Sequence, residues 1–182
     1  MKDLSLNLLD IAENSVKAGA TLTQLLLTQE RDVLTFQVVD DGCGMTEEVL
    51  RGVVDPFYTT RTTRKVGMGL PLLRMAAEQT GGRMTVESRH VETYPDNHGT
   101  VVTAVFHTDH IDCPPVGDMT ATVTTLIQGH PDTDFYFRHA CGGTEVELDT
   151  RALREILGEV SLAEFEVLQW ITGYLTDQYN GQ

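Results

Sequence analysis

Apolar positions near the start of the chain recur at helical spacing. Leu6, Leu9, Ala12 and Val16 predict a helix over residues 3–18, and Gly19 is a natural stop for it. The period then falls to two. Residues 21–28 and 33–40 read as strands around the polar turn Gln29-Glu30-Arg31-Asp32. Thr46 can cap a short helix running to about Val53, with Glu47 and Glu48 favourable in its first turn. Residues 55–66 follow no period. Pro71 suits the first turn of a helix over residues 70–80, and Gly81-Gly82 ends it. Residues 84–90 and 100–107 read as two more strands, separated by a Pro- and Gly-containing loop at 94–99.

The pattern breaks at residues 110–117, where Pro114, Pro115 and Gly117 mark a boundary. Beyond it, strands are expected at 121–128, 134–138 and 145–148, then helices at 150–157 and 162–176. Ser161 and Glu164 have capping-box spacing for the last helix, whose apolar face would be Leu162, Phe165, Leu168, Ile171 and Leu175. The expected organisation is a first domain over residues 1–110 and a small α+β C-terminal extension over 118–182. Of the aromatic residues in the extension, Phe135, Tyr136 and Phe137 are expected mainly in the core. Trp170 and Tyr174 would form a partly exposed edge suited to a protein partner.

The chain has 182 residues, 41% of them hydrophobic, and a net charge of −14. That charge argues against nucleic acid and anionic membrane as partners, since both reward Lys and Arg. No apolar run is long enough to span a bilayer and no signal-peptide pattern opens the chain, so a cytoplasmic location is expected. Between Phe57 and Ala77 the charge reverses locally, with Arg61, Arg64, Lys65 and Arg74 and no acid. Such an island suits an anionic ligand such as a triphosphate. Three cysteines without close pairing argue against a disulfide framework. No C-x-x-C occurs, so ordinary thiols are expected rather than a metal site built on His139 and Cys141.

Four short motifs carry the chemistry. Asp10, Asn14 and Lys17 fall at i, i+4 and i+7 and share a helix face. Asp41-Gly42-Cys43-Gly44-Met45 follows a strand. Pro56-Phe57-Tyr58-Thr59-Thr60-Arg61 comes next, then Gly67-Met68-Gly69-Leu70 before a helix. In this order the motifs resemble the N, G1, F and G2 boxes of the GHKL family, the ATP-binding domains of gyrases, heat-shock chaperones, histidine kinases and mismatch-repair ATPases. The resemblance covers residues 3–107. It implies a two-layer α/β sandwich, with helices on one face of a mixed sheet. No Walker A sequence and no G-x-G-x-x-G after a strand is present, so P-loop and Rossmann folds lose their support.

The resemblance also assigns roles. Asn14 would be the protein's Mg2+ ligand, fitting an ion that takes hard oxygen donors and keeps several waters. Lys17 would contact phosphate, as in histidine kinases. Asp41 would accept a hydrogen bond from the adenine amino group, with Gly42 and Gly44 leaving room for the purine and Thr100 supporting the aspartate. Phe57 would anchor a lid over residues 58–66, and Arg61, Lys65, Gly67, Gly69 and Leu70 would surround the phosphates. Lys65 departs from the histidine-kinase pattern, which has a glycine there. Asp10 stands where hydrolysing members carry a glutamate that activates water. It is one methylene shorter, yet Glu13 is about 100° around the helix from Asn14, so Asp10 is the better candidate base. The implied function is Mg2+-ATP binding by a standalone protein kinase or slow ATPase that acts on a partner protein. The alternative is a module in which nucleotide gates partner binding without chemistry. The predicted first helix begins at residue 3, which leaves no phosphoacceptor hairpin ahead of it and favours a standalone member such as the anti-sigma kinases.

Overall fold

The computed structural model describes residues 3–54 and 68–181. The chain runs α1 (Leu4–Lys17), β1 (Leu22–Glu30), β2 (Val33–Asp40), α2 (Glu47–Val54), α3 (Gly69–Gln79), β3 (Arg83–Arg89), β4 (Gly99–His107), α4 (Met119–Gly129), β5 (Asp134–Cys141), β6 (Thr144–Asp149), α5 (Thr150–Leu157) and α6 (Phe165–Asn180). The six strands form one open mixed sheet in the order β3-β4-β2-β1-β5-β6. Only β1 and β5 pair in parallel, Leu22 opposite Asp134 through Gln29 opposite Cys141. This is the α/β layering expected for the GHKL class.

Strict alternation along the strands decides which face is buried. Leu25 and Leu27 of β1, Leu34, Phe36 and Val38 of β2, and Val102, Ala104 and Phe106 of β4 point to one side. There they meet Leu4, Leu8 and Ile11 of α1 and Leu73, Ala76 and Ala77 of α3. Phe36, Phe106, Phe135 and Phe137 are fully buried, and each such side chain contributes about 1.5–3 kcal/mol. On the opposite face Gln37 Nε2 donates to Thr103 Oγ1 at 3.0 Å, a pairing suited to a partly wetted surface.

The C-terminal segment continues this sheet and shares this core. Strand β5 lies against β1, and α4 packs on α1 through a cluster that includes Met119, Val123, Leu126 and Ile127. The chain between them returns to the amino-terminal helix. Pro115 and Val116 accept hydrogen bonds from Leu4 N and Ser5 N, both at 2.9 Å, and so cap α1 together with the Asp3 carboxylate.

Several expectations need correction. Residues 121–128 belong to helix α4, not a strand. Their Thr and Val content favours β structure, but Asp118 caps the helix by accepting from Ala121 N at 2.9 Å. The buried residues Met119, Thr122, Val123, Leu126 and Ile127 then follow helical spacing. In α1 the buried stripe is Leu4, Leu8, Ile11, Ala12 and Ser15, while Leu6 is exposed. Two adjacent leucine stripes satisfy the same period, and the core takes the one that carries Ser15. Helix α6 begins at Phe165 with no side-chain cap, and Ser161 Oγ accepts from Ala163 N instead. Phe165 is 71% exposed and leaves the apolar face to Leu162, Ile171 and Leu175.

Candidate functional site

A cleft of about 380 Å3 opens between α1, the end of β2, the 42–45 loop, β4 and the start of α3. Among the described residues it is lined by Ile11, Asn14, Ser15, Lys17 and Ala18 of the first helix and its end, then Asp40, Cys43, Gly44 and Met45, with Leu70, Thr100 and Val102 beyond. Depressions of about 570 and 540 Å3 lie on the C-terminal side of the molecule. The smaller cleft is the one that gathers the motif residues, and its volume falls within the roughly 300–1,000 Å3 of ligand pockets.

Each wall follows from local structure. On α1, Asn14 and Lys17 sit almost one turn apart, so both reach the cleft. Strand β2 buries Leu34, Phe36 and Val38 by alternation, which puts Asp40 on the same side. Asp40 is half-buried. Its Oδ2 accepts from Ser15 Oγ at 2.7 Å and its Oδ1 from Gly42 N at 2.9 Å. Thr100 lies directly opposite Asp40 across the β2–β4 ladder, and Thr100 Oγ1 is 2.8 Å from Ser88 Oγ. Ser88 Oγ also accepts from Met45 N at 2.7 Å, which fixes the far side of the loop. Cys43 N donates to Ala18 O at 2.9 Å, and Cys43 O accepts from Val91 N at 2.8 Å. The loop is therefore pinned to α1 on one side and to the end of β3 on the other.

The acid expected to read adenine is not at this wall. Asp41 is exposed and is not among the cleft's lining residues. Its Oδ1 accepts from Thr21 N at 2.7 Å and Leu22 N at 3.0 Å, and its Oδ2 accepts from the Thr21 hydroxyl. Partial burial pushes this carboxyl up. The hydrogen bonds from Leu22 and Thr21 outweigh that and leave it below the usual carboxylate range. Asp41 thus ties the end of β2 to the start of β1. The acid that lines the cleft is Asp40, which the motif reading did not single out, and parity points to it because Asp40 continues the Leu34–Phe36–Val38 face and Asp41 does not. Ser15 was also missed. A serine on a buried helix stripe marks a hydroxyl with a polar partner to meet.

Both glycines of the loop pack closely against the rest of the protein. Gly42 is buried, and a Cβ there would lie 2.9 Å from the Cβ of Ala18. Gly44 has φ of 70°, and a Cβ would overlap the carbonyl oxygen of Arg89. Gly44 lines the cleft, and Gly42 is not among its lining residues. Gly69 opens α3 against α1, where a Cβ would sit 3.2 Å from Asp10 Cβ. Leu70 is buried and forms the floor. Asp10 is exposed and stands one turn before Asn14, outside the lining of the cleft. Arg61, Lys65 and Gly67, and the stretch expected as a lid, lie outside the described residues.

Asn14 brings an amide oxygen, a hard donor for a divalent cation, to the lining of the cleft. Among the described residues no group of three His, Cys, Asp or Glu side chains could hold a metal ion. That donor set fits Mg2+ only as an ion held mainly by phosphate oxygens and water. No helix among the described residues is long and apolar enough to cross a membrane.

This sheet, with the first helix and the acid-bearing loop framing one cleft, has the arrangement expected of a GHKL-class domain. The model of the histidine kinase-, DNA gyrase B- and HSP90-like ATPase family matches residues 2–110, and the chain belongs to that family. Membership implies ATP binding. Similar proteins include sensor protein KdpD of Clostridium acetobutylicum, 29% identical over 89 residues, which is 46% of this chain and 10% of that protein. Sporulation kinase E of Bacillus subtilis is 31% identical over 88 residues, 48% of this chain and 12% of the kinase. The tetrathionate sensor histidine kinase TtrS of Salmonella typhimurium is 35% identical over 100 residues, 54% of this chain and 16% of the kinase. The chain therefore aligns with only a small part of each of these kinases.

Proposed function

We propose that this protein binds Mg2+-ATP in the α1–β2–α3 cleft and acts on a protein partner, as a protein kinase or a slow ATPase. The observation that supports it is the meeting of three complementary groups in one cleft. These are the Asp40 carboxylate, the Asn14 amide and the Lys17 ammonium. Asp40 accepts from the adenine 6-amino group while Ser15 and Gly42 N hold its orientation. Guanine presents a carbonyl oxygen at that position, which an ionised carboxylate repels. Thr100, opposite Asp40, closes the base end. Asn14 holds Mg2+ through its amide oxygen, and the ion would neutralise phosphate charge. Lys17 supplies a further positive charge to the phosphates.

Asp10 is the proposed base, directed at water or at a partner's hydroxyl. Catalysis is sensitive to displacements of about an ångström. An aspartate outside the cleft lining predicts turnover on the order of 10²-fold below that of a well-placed base. That same placement favours the second reading, in which ATP only gates partner binding. Incubation with γ-labelled ATP separates the two. Slow release or transfer of label, abolished in Asp10→Asn while ATP affinity is retained, is the expected result. Fast turnover, or turnover unchanged in Asp10→Asn, would reject Asp10 as the base. Nucleotide binding with no label released or transferred would leave the gated module.

A further inference from the structure

An apolar groove runs between α5 and α6 at the β6 edge of the sheet, apart from the α1–β2–α3 cleft. Two adjoining depressions of about 540 and 350 Å3 share Leu153, Ile156 and Trp170. The groove's apolar residues are exposed to a degree unusual for their type. Ile156 is 82% exposed, Trp170 52% and Tyr174 41%, and Trp170 stacks on Tyr174 with ring centroids 4.9 Å apart. A contiguous patch of large apolar side chains marks an interaction surface more often than it marks chance.

Charge and the sheet edge say what covers it. Glu145, Glu147, Asp149 and Glu166 line the groove, with no Lys or Arg among the described lining residues. Residues 118–182 carry 11 Asp and Glu against 3 Arg, so this part alone has a net charge of −8. The three arginines are engaged, Arg138 with Glu145, Arg151 with Asp149 and Arg154 with Asp134. Glu155, Glu159, Glu164 and Glu166 form no ion pair with a described residue and leave the acid in excess. A second copy would bring the same acids against themselves, and an anionic membrane or nucleic acid would be repelled. Strand addition is also blocked. Strand β6 ends the sheet, but Gln178 of α6 already accepts from Glu147 N at 2.9 Å and donates to Glu147 O at 3.0 Å. A helix is the occupant that needs no backbone partner.

We propose that this groove docks an amphipathic helix of a partner protein whose apolar stripe is flanked by Lys and Arg. The apolar stripe fills the space over Leu153, Ile156 and Trp170, and its basic flanks face Glu147 and Glu166. The proposal rests on the reading that the chain serves a protein partner, and it names the chemistry of that partner. It does not depend on what happens to the nucleotide.

Trp170 is the only tryptophan of the chain, so its fluorescence reports occupancy of the groove directly. The probes are three synthetic peptides of about five helical turns. One is a Leu/Lys amphipathic helix, one has the same pattern in Leu/Glu, and one is the Leu/Lys composition with its periodicity scrambled. The first should shift Trp170 emission to the blue saturably and bind at least about tenfold more tightly than the others. Ile156→Asp, at an exposed position that folding does not need, should weaken it about tenfold or more. Glu166→Lys should reduce the preference for the basic peptide. ATP affinity measured on the same samples should not change.

No saturable shift, equal binding of the acidic or scrambled peptide, or unaltered binding in Ile156→Asp would each overturn the proposal. A blue shift that grows with protein concentration alone would assign the groove to a second copy instead. Peptide binding without ATP binding would count against the nucleotide reading and leave this one standing. ATP binding without peptide binding would do the reverse.

Discussion

Asp40 and Asp41 are neighbours with opposite duties. One lines the cleft, and the other ties the end of β2 to the start of β1. Asp41 supplies a pH test. Its carboxyl lies below the usual range when folded, so its stabilisation is complete above the unfolded value of about 3.9 and is lost as pH falls through the lower folded value. Urea unfolding of wild type and Asp41→Asn should show a stability gap at pH 7 that shrinks toward pH 3. A gap that stays constant across that range would mean the carboxylate charge is not what ties the end of β2 to the start of β1. Gly44 supplies a steric test. Gly44→Ala must accept φ of 70° and displace the Arg89 carbonyl, which should cost about 2 kcal/mol or more and lower Tm by roughly 4–8 °C. Gly129→Ala, with open space around the new methyl, should not lower it. Similar melting of the two variants would contradict the packing described for the loop.

At the scale of elements, legibility depended on whether a signal was local. Helix α1, strands β1 to β4 and helix α3 were readable as elements because turns and a clean period mark them, although the period alone left two candidate buried stripes on α1. The GHKL boxes were readable for the same reason, since each is a short run of unusual residue types at fixed spacing. Helix α4 was not. Its Thr- and Val-rich run has the propensity of a strand, which outweighed the Asp118 cap and the helical spacing of Met119, Val123, Leu126 and Ile127, and its packing against α1 is a contact that local propensity does not contain. The choice between Asp40 and Asp41 failed differently. The strand period puts Asp40 on the cleft side, whereas the Asp-Gly dipeptide drew attention to Asp41, which lies outside the lining. Ser15 became legible as part of the site only once its hydroxyl was seen on Asp40.

At the scale of the whole molecule, the boundary at 110–117 marks a change of composition rather than an end to the sheet. Strand β5 supplies the neighbour of β1, α4 covers α1, and Pro115 and Val116 cap the helix that carries Asn14. Truncation after His110 would uncover the far edge of β1 and part of the leucine core. The shortened chain should aggregate or lose cooperative unfolding. A soluble, cooperatively folded fragment that still binds ATP would show that the first 110 residues form an independent unit. The nucleotide cleft would then owe less to the C-terminal segment than its placement indicates.

The central claim, an adenine nucleotide read by Asp40, is tested most directly by calorimetric titration at pH 7 with ATP and GTP in the presence of Mg2+. Wild type, Asp40→Asn and Asp41→Asn should be compared. Asp40→Asn keeps the shape, with its one amide oxygen able to accept from Gly42 N and its NH2 able to donate to Ser15 Oγ. It turns an acceptor-only group into a mixed one, at a loss of roughly 1.5–3 kcal/mol, or about 10- to 100-fold in affinity. The account predicts ATP binding in wild type, preserved in Asp41→Asn, lost by that factor in Asp40→Asn, and far weaker for GTP throughout. Equal ATP affinity in wild type and Asp40→Asn, or GTP bound as tightly as ATP, would contradict it.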